Sequence, residues 1–163
     1  MIMKDLVEYL KKKNITISTA ESFTGGLVAA SVVSIDGASA VFSNGYVVYS
    51  KEAKSKTLNI PMEVLDKYGT ISSECATYMA KQAALISGSD IGVSTTGVAG
   101  PSTDEGQPVG TAYIGVHYKG VDVVNRATFV GSRNEIREAA VDYAACFVLS
   151  IVEELDLAES SIG

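Results

Sequence analysis

Residues 15–33 read ITISTAESFTGGLVAASVV, and the order of residue types in them decides the fold. Ile15 to Thr19 is a β-rich run, Ala20 to Gly26 is a polar segment ending in two glycines, and Leu27 to Val33 is an apolar helical run. Strand, glycine-containing turn and helix, in that order, are the local grammar of an α/β protein.

The same grammar extends to both sides. Upstream, residues 3–13 place Leu6, Val7 and Leu10 on one helical face and end in lysines. Downstream, Asp36-Gly37 marks a turn and Ala40 to Tyr49 reads as a strand. Ser50 is the expected N-cap of a helix to Leu58, Pro61 opens a further helical turn that Gly69 ends, and Ser72 or Ser73 caps a helix to about Ser87. Ile91 to Thr95 is a buried strand running into Thr96-Gly97-Val98-Ala99-Gly100-Pro101, followed by a polar loop over residues 102–107. Val109 to Tyr118 and Val121 to Val130 form a hairpin through Lys119-Gly120. Ser132 and Glu135 have capping-box spacing at the start of the last helix, whose tail from about Asp156 is expected to fray. The hairpin makes the sheet mixed. The expected architecture is therefore a three-layer α/β/α fold with a mixed sheet, one domain over residues 1–163 with a frayed tail at 156–163.

A chain of 163 residues buries roughly 70% of its unfolded surface and needs no staple. The net charge of −6 argues against a nucleic-acid surface, which requires clustered cations. Cys75 and Cys146 form neither a disulfide framework nor a zinc motif and read as buried thiols in a reducing compartment. No leader pattern or bilayer-length apolar run is present, so the expected location is cytoplasmic, with no membrane partner. No carboxylates stand at metal-ligand spacing, so no metal and no cofactor is expected. His117, the single histidine, reads as structural.

That leaves hydroxyls, lysines and tyrosines for chemistry. Ser39 enters a strand whose far end carries Tyr49 and a helix with Lys51 and Lys54. Nine extended residues cover about 30 Å. Ser39 and Lys54 therefore meet only if the chain bends, for which Ser43-Asn44-Gly45 is the candidate; the alternative is a surface serine and solvated lysines. Ala20 to Gly26 offers hydroxyls and free N–H groups to an anion at a helix start, or merely a cap. The Thr96-Gly97 turn lies where α/β sheets gather ligands and offers donors to an oxyanion, or only glycine geometry. Arg133 at a helix N-terminus suits a phosphate, or is a surface arginine partly neutralised by Glu135.

Taken together, Thr19 to Gly26, Gly45 to Lys54, Thr96 to Pro101 and Pro108-Val109-Gly110-Thr111 resemble the CinA C-terminal domain family over about residues 3–155. That family includes stand-alone nicotinamide mononucleotide deamidases, and members have been linked to competence, DNA uptake and recombination. The resemblance implies hydrolysis of the carboxamide of nicotinamide mononucleotide to nicotinic acid mononucleotide and ammonia. It implies a serine nucleophile at Ser39, a lysine base at Lys54, and assistance from Tyr49 and Thr96. Ser22, Thr24, Gly25, Gly26, Gly97 and Arg133 are the implied substrate-binding positions, Arg133 for the phosphate. It further implies a homo-oligomer acting on a small nucleotide. Lys51, one turn before Lys54, is an additional candidate for a cation that depresses the base. The chain departs from the family pattern at Phe23, Ala38, Lys51 and Gln107. Two rival readings are a non-catalytic nucleotide- or protein-binding module of the same fold, and an amidase for another small nucleotide.

Overall fold

The computed structural model describes residues 1–162; Gly163, the end of the expected domain and of its tail, lies outside the described residues. The chain runs α1 (Ile2–Lys13), β1 (Ile17–Glu21), α2 (Leu27–Val33), a 3-10 turn (Ala38–Ala40), β2 (Phe42–Val47), α3 (Lys51–Leu58), α4 (Met62–Tyr68), α5 (Ser73–Ser87), β3 (Ile91–Gly97), β4 (Thr111–Tyr118), β5 (Val121–Thr128) and α6 (Arg133–Ile162). Local chemistry sets most boundaries. Ser50 Oγ accepts from Ala53 N at 3.0 Å and Ser72 Oγ from Cys75 N at 3.1 Å. Ser132 and Glu135 close their capping box in both directions, with N–H to oxygen distances of 2.9 and 3.3 Å.

Among the described residues the sheet has five strands in the order β2-β1-β3-β4-β5. β1 is parallel to both β2 and β3, and β3-β4-β5 is an antiparallel meander. Helices α1, α2 and α6 cover one face, and α5, backed by α3 and α4, covers the other. Each face closes over its own apolar cluster, one built on Leu6, Leu10, Ile17, Ile91 and Ile114, the other on Leu58, Ile60, Leu65 and Met79. The expected mixed α/β/α sandwich is the observed fold. α5 lies so close to the sheet that a Cβ on Gly92 would stand 1.8 Å from Ala80 O. Only glycine admits that approach.

Two expectations are corrected here. The tail is not a loose end: α6 continues to Ile162, and Asp156 accepts hydrogen bonds from Tyr9 Oη at 2.8 Å, Tyr118 Oη at 2.9 Å and Lys119 Nζ at 3.0 Å. Three donors from α1 and the β4-β5 hairpin converge on one carboxylate, which a reading of local polarity cannot register. Cys146 is exposed on α6, whereas Cys75 is buried. His117 pairs across the hairpin with Asp122 at 2.8 Å, a structural role as expected.

Candidate functional site

β1, β2 and β3 end on the same side of the sheet, and three chain segments leave it there. Ser22 follows β1 directly; its N–H donates to Thr95 O of β3 at 2.9 Å, and Val48 N donates to Glu21 O at 2.9 Å. Ser22 thus sits between the exits of β2 and β3, beyond the carboxyl ends of parallel strands, where open α/β sheets hold ligands. β2 continues through Val48, Tyr49 and the Ser50 cap into α3, whose first turn turns Lys54 inward. Lys54 is among the largest fully buried side chains of the protein, at 1% exposure.

Lys54 Nζ lies 3.0 Å from Ser22 Oγ, 3.0 Å from Val48 O and 3.1 Å from Tyr49 O. All three oxygens are uncharged, and Lys54 has no carboxylate partner among the described residues. Burial pushes the Lys54 pKa down from its ordinary value; the more distant Cys75, Glu105 and Asp104 oppose this without reversing it. Cys75, packed behind the lysine, stays a neutral thiol, its pKa pushed up to about 12 by burial. A buried amine against a hydroxyl, held by two carbonyls, with burial disfavouring its charged form, is the arrangement a lysine base requires.

The expected pairing of Lys54 with Ser39 is corrected by this geometry. Ser39 lies exposed in the 3-10 turn before β2, at the amino end of the sheet, where Phe42 is level with Ile17. The anticipated irregularity at Ser43-Asn44 exists: β2 uses three residues from Phe42 to Gly45 where β1 uses two. Such a bulge twists a strand without reversing it. The six residues of β2, about 20 Å of strand, therefore lie between Ser39 and the end of the sheet that holds the lysine. Lys51 is corrected as well. Its ammonium pairs with Asp66 on the surface, which raises its pKa, and it contributes nothing to lowering that of Lys54.

Two connected depressions open over Ser22. The inner one, about 70 Å³, is lined by Ser22, Phe23, Tyr49, Thr70, Ile71, Thr96, Gly97 and Asp104. The outer cleft, about 340 Å³, shares Phe23, Tyr49, Gly97 and Asp104 and extends along Val98 to Thr103 to Arg133. Of the expected positions, Ser22, Tyr49, Thr96, Gly97 and Arg133 converge here. Thr96 Oγ1 already donates to Thr70 O at 2.6 Å, which fixes the wall of the pocket. Arg133, first residue of α6, donates to Gly100 O and, at 3.2 Å, to Tyr49 Oη.

Thr24, Gly25 and Gly26 do not line either depression. Thr24 is fully buried and donates to Glu21 Oε1 at 2.6 Å, while the Glu21 carboxylate takes Val28 N at 2.8 Å and Ala29 N at 3.0 Å. This is a helix cap built from a buried acid, and it positions the turn that presents Ser22. Gly25 and Gly26 carry φ values of 61° and 104°, so their glycines serve the turn rather than a ligand.

Sequence reasoning passed over three contributors. Arg137, one turn after Arg133, donates to Phe23 O at 2.9 Å and Thr24 O at 3.1 Å and ties the Ser22 turn to α6. Glu105 accepts from Thr70 N at 2.8 Å and fastens the 102–107 loop to the turn that carries Thr70 and Ile71. Asp104 reaches both depressions. The i, i+4 arginine pair was the one visible signal; the loop contacts left none in the local pattern.

The sequence and the fold have counterparts. Residues 1–152 match the CinA C-terminal domain. A CinA-like protein of Kosmotoga olearia is 46% identical over 145 residues, covering 88% of this chain and 35% of that protein. The crystal structure of a competence-damaged protein (CinA) superfamily protein from Escherichia coli superposes with a TM-score of 0.90 at 28% identity, covering 92% of this chain and 88% of that one. That of the competence/damage inducible protein CihA from Agrobacterium tumefaciens superposes with a TM-score of 0.85 at 30% identity, covering 92% and 95%. The chain spans about a third of the length of the curated relatives it matches.

Proposed function

The chain belongs to the CinA C-terminal domain family, and from that premise we propose that it hydrolyses the carboxamide of nicotinamide mononucleotide through Ser22 and Lys54. The observation that carries the reading is the 3.0 Å contact between the Lys54 amine and the Ser22 hydroxyl, made by a lysine that is buried without a counter-ion. Family resemblance supports the choice of substrate, and the Lys54 contact favours Ser22 over Ser39 as the proposed nucleophile.

In this mechanism Lys54 works from its uncharged state. Its two N–H groups stay on Val48 O and Tyr49 O, and its lone pair faces the hydroxyl of Ser22. Lys54 takes the hydroxyl proton as Ser22 Oγ attacks the carboxamide carbon. The negative charge moves to the carbonyl oxygen, for which the Phe23 N–H is the available donor: it follows the nucleophile and has no acceptor among the described residues. Lys54 then protonates the departing nitrogen, the C–N bond breaks, and ammonia leaves with an acyl ester on Ser22. Water, giving its proton to Lys54, attacks the ester; the bond between the acyl carbon and Ser22 Oγ breaks, Lys54 returns the proton to Ser22 Oγ, and the carboxylate leaves. Arg133, which lines the outer cleft but not the inner pocket, holds the phosphate, aided by the N-terminus of α6. The reading includes a cytoplasmic location and self-association. No helix among the described residues is long and apolar enough to cross a membrane.

The test is ammonia release from nicotinamide mononucleotide without added metal. Ser22→Ala and Lys54→Met, each shown to be folded by circular dichroism, are expected to lower kcat/KM by about 10³-fold or more. Undiminished turnover in either folded variant overturns the assignment. Binding without turnover by the unaltered protein would favour the non-catalytic alternative.

A further inference from the structure

The two depressions contain two unneutralised charges. Asp104 is exposed, and its carboxylate has no hydrogen-bond or ion-pair partner among the described residues; only its backbone is engaged, its carbonyl accepting from Gln107 N at 2.8 Å. In that turn, with Glu105 and Gly106 at φ 49° and 72°, Glu105 is bound to Thr70, while Asp104 lines both depressions. The second charge is Arg133, whose guanidinium contacts only a carbonyl and a phenol. Their positions differ in depth. Asp104 lines both the inner pocket beside Ser22 and the outer cleft, whereas Arg133 lines the outer cleft alone.

A ligand with its amide at Ser22 therefore meets a negative charge close to the reacting group and a positive charge farther out. The complementary molecule carries a cation next to its amide and an anion at its distal end. Resting on the deamidase reading, we propose that Asp104 determines specificity by pairing with the positively charged ring of the substrate, so that the site selects pyridinium amides over neutral-ring amides. Asp104 is thus a specificity residue.

The experiment compares nicotinamide mononucleotide with its 1,4-dihydro form, which keeps the carboxamide and phosphate but has an uncharged ring. The intrinsic difference in amide reactivity cancels when each variant's preference is divided by that of the unaltered protein. Asp104→Asn is expected to reduce the kcat/KM preference for the oxidised nucleotide by about two- to fivefold, the scale of one solvent-facing ion pair, mainly through KM. Asp104→Glu is expected to retain most of that preference. Calorimetry in a Ser22→Ala background gives the same comparison without turnover. An Asp104→Asn substitution that leaves the binding and kinetic preferences unchanged, or neither nucleotide binding, overturns the role of Asp104. If both bind with the predicted charge preference but no ammonia is released, the catalytic reading fails while the charge selection stands.

Discussion

The two ends of this sheet both hold a lysine among oxygens, and they use it in opposite ways. At the amino ends of β1 and β3, Lys119 pairs with Asp156 and Glu159, and these carboxylates raise its pKa. Burial alone would push the Asp156 carboxyl up, but hydrogen bonds from Tyr9, Lys119 and Tyr118 hold it below its ordinary value. The Tyr9 and Tyr118 hydroxyls, partly buried and facing that anion, are pushed up to about 12. These shifts favour the ordinary charge states of Lys119, Asp156, Tyr9 and Tyr118. At the carboxyl ends, Lys54 meets only carbonyls and a hydroxyl, and burial works against its charge. A lysine in contact with acids fastens α6 to the hairpin; a buried lysine with no acid in contact has its charged form disfavoured, as the proposed base requires. The difference lies in the partners, not in the residue type.

The largest expected effect tests the deprived lysine through pH. The Lys54 pKa lies below its ordinary 10.5, so the uncharged fraction grows as pH rises toward it. The logarithm of kcat/KM is then expected to climb with a slope of about one, tenfold per pH unit, and to level off before the ordinary lysine value. The same shift acts on stability. Between the folded and unfolded pKa values the unfolded chain binds the extra proton, so stability rises with pH through that window, and Lys54→Met removes the increment. A flat kcat/KM profile across this range would make the two ends of the sheet electrostatically alike. Lys51→Met is expected to leave the profile in place, because that amine is engaged with Asp66 on the surface.

A smaller effect is expected at the opposite end. Asp156→Ala takes the acceptor from three donors and should lower Tm by about 2–6 °C with little change in kcat. Because the folded pKa of Asp156 is depressed, its contribution is present above the ordinary value of 3.8 and is lost as pH falls through the folded one. The Tm difference should therefore shrink in acid; a constant difference would point to packing instead of charge. The smallest effect is expected for Ser39→Ala. It changes an exposed hydroxyl in the 3-10 turn and should leave kcat/KM within about twofold. A loss matching that of Ser22→Ala would restore Ser39 to the chemistry and sink the assignment based on the Lys54 contact.

The sequence alone determined the order of the elements and most of their ends, because those depend on neighbours in the chain. The Ser50, Ser72 and Ser132 caps each close over three residues, and the alternation of β4 and β5 with one short turn makes a hairpin locally. It also delivered the family resemblance and six residues of the candidate site, Ser22, Tyr49, Lys54, Thr96, Gly97 and Arg133, but placed Ser39, Thr24, Gly25 and Gly26 there wrongly and passed over Asp104, Glu105 and Arg137. Tertiary structure decided which serine the lysine meets. Ser39 is nearer to Lys54 along the chain, Ser22 nearer in space, because two parallel strands carry their ends to the same side while a single strand carries its own start and finish to opposite sides. Burial of Lys54, the anchoring of Asp156 and the bare charge of Asp104 belong to that same class: each depends on groups brought from distant segments, which spacing along one chain cannot encode.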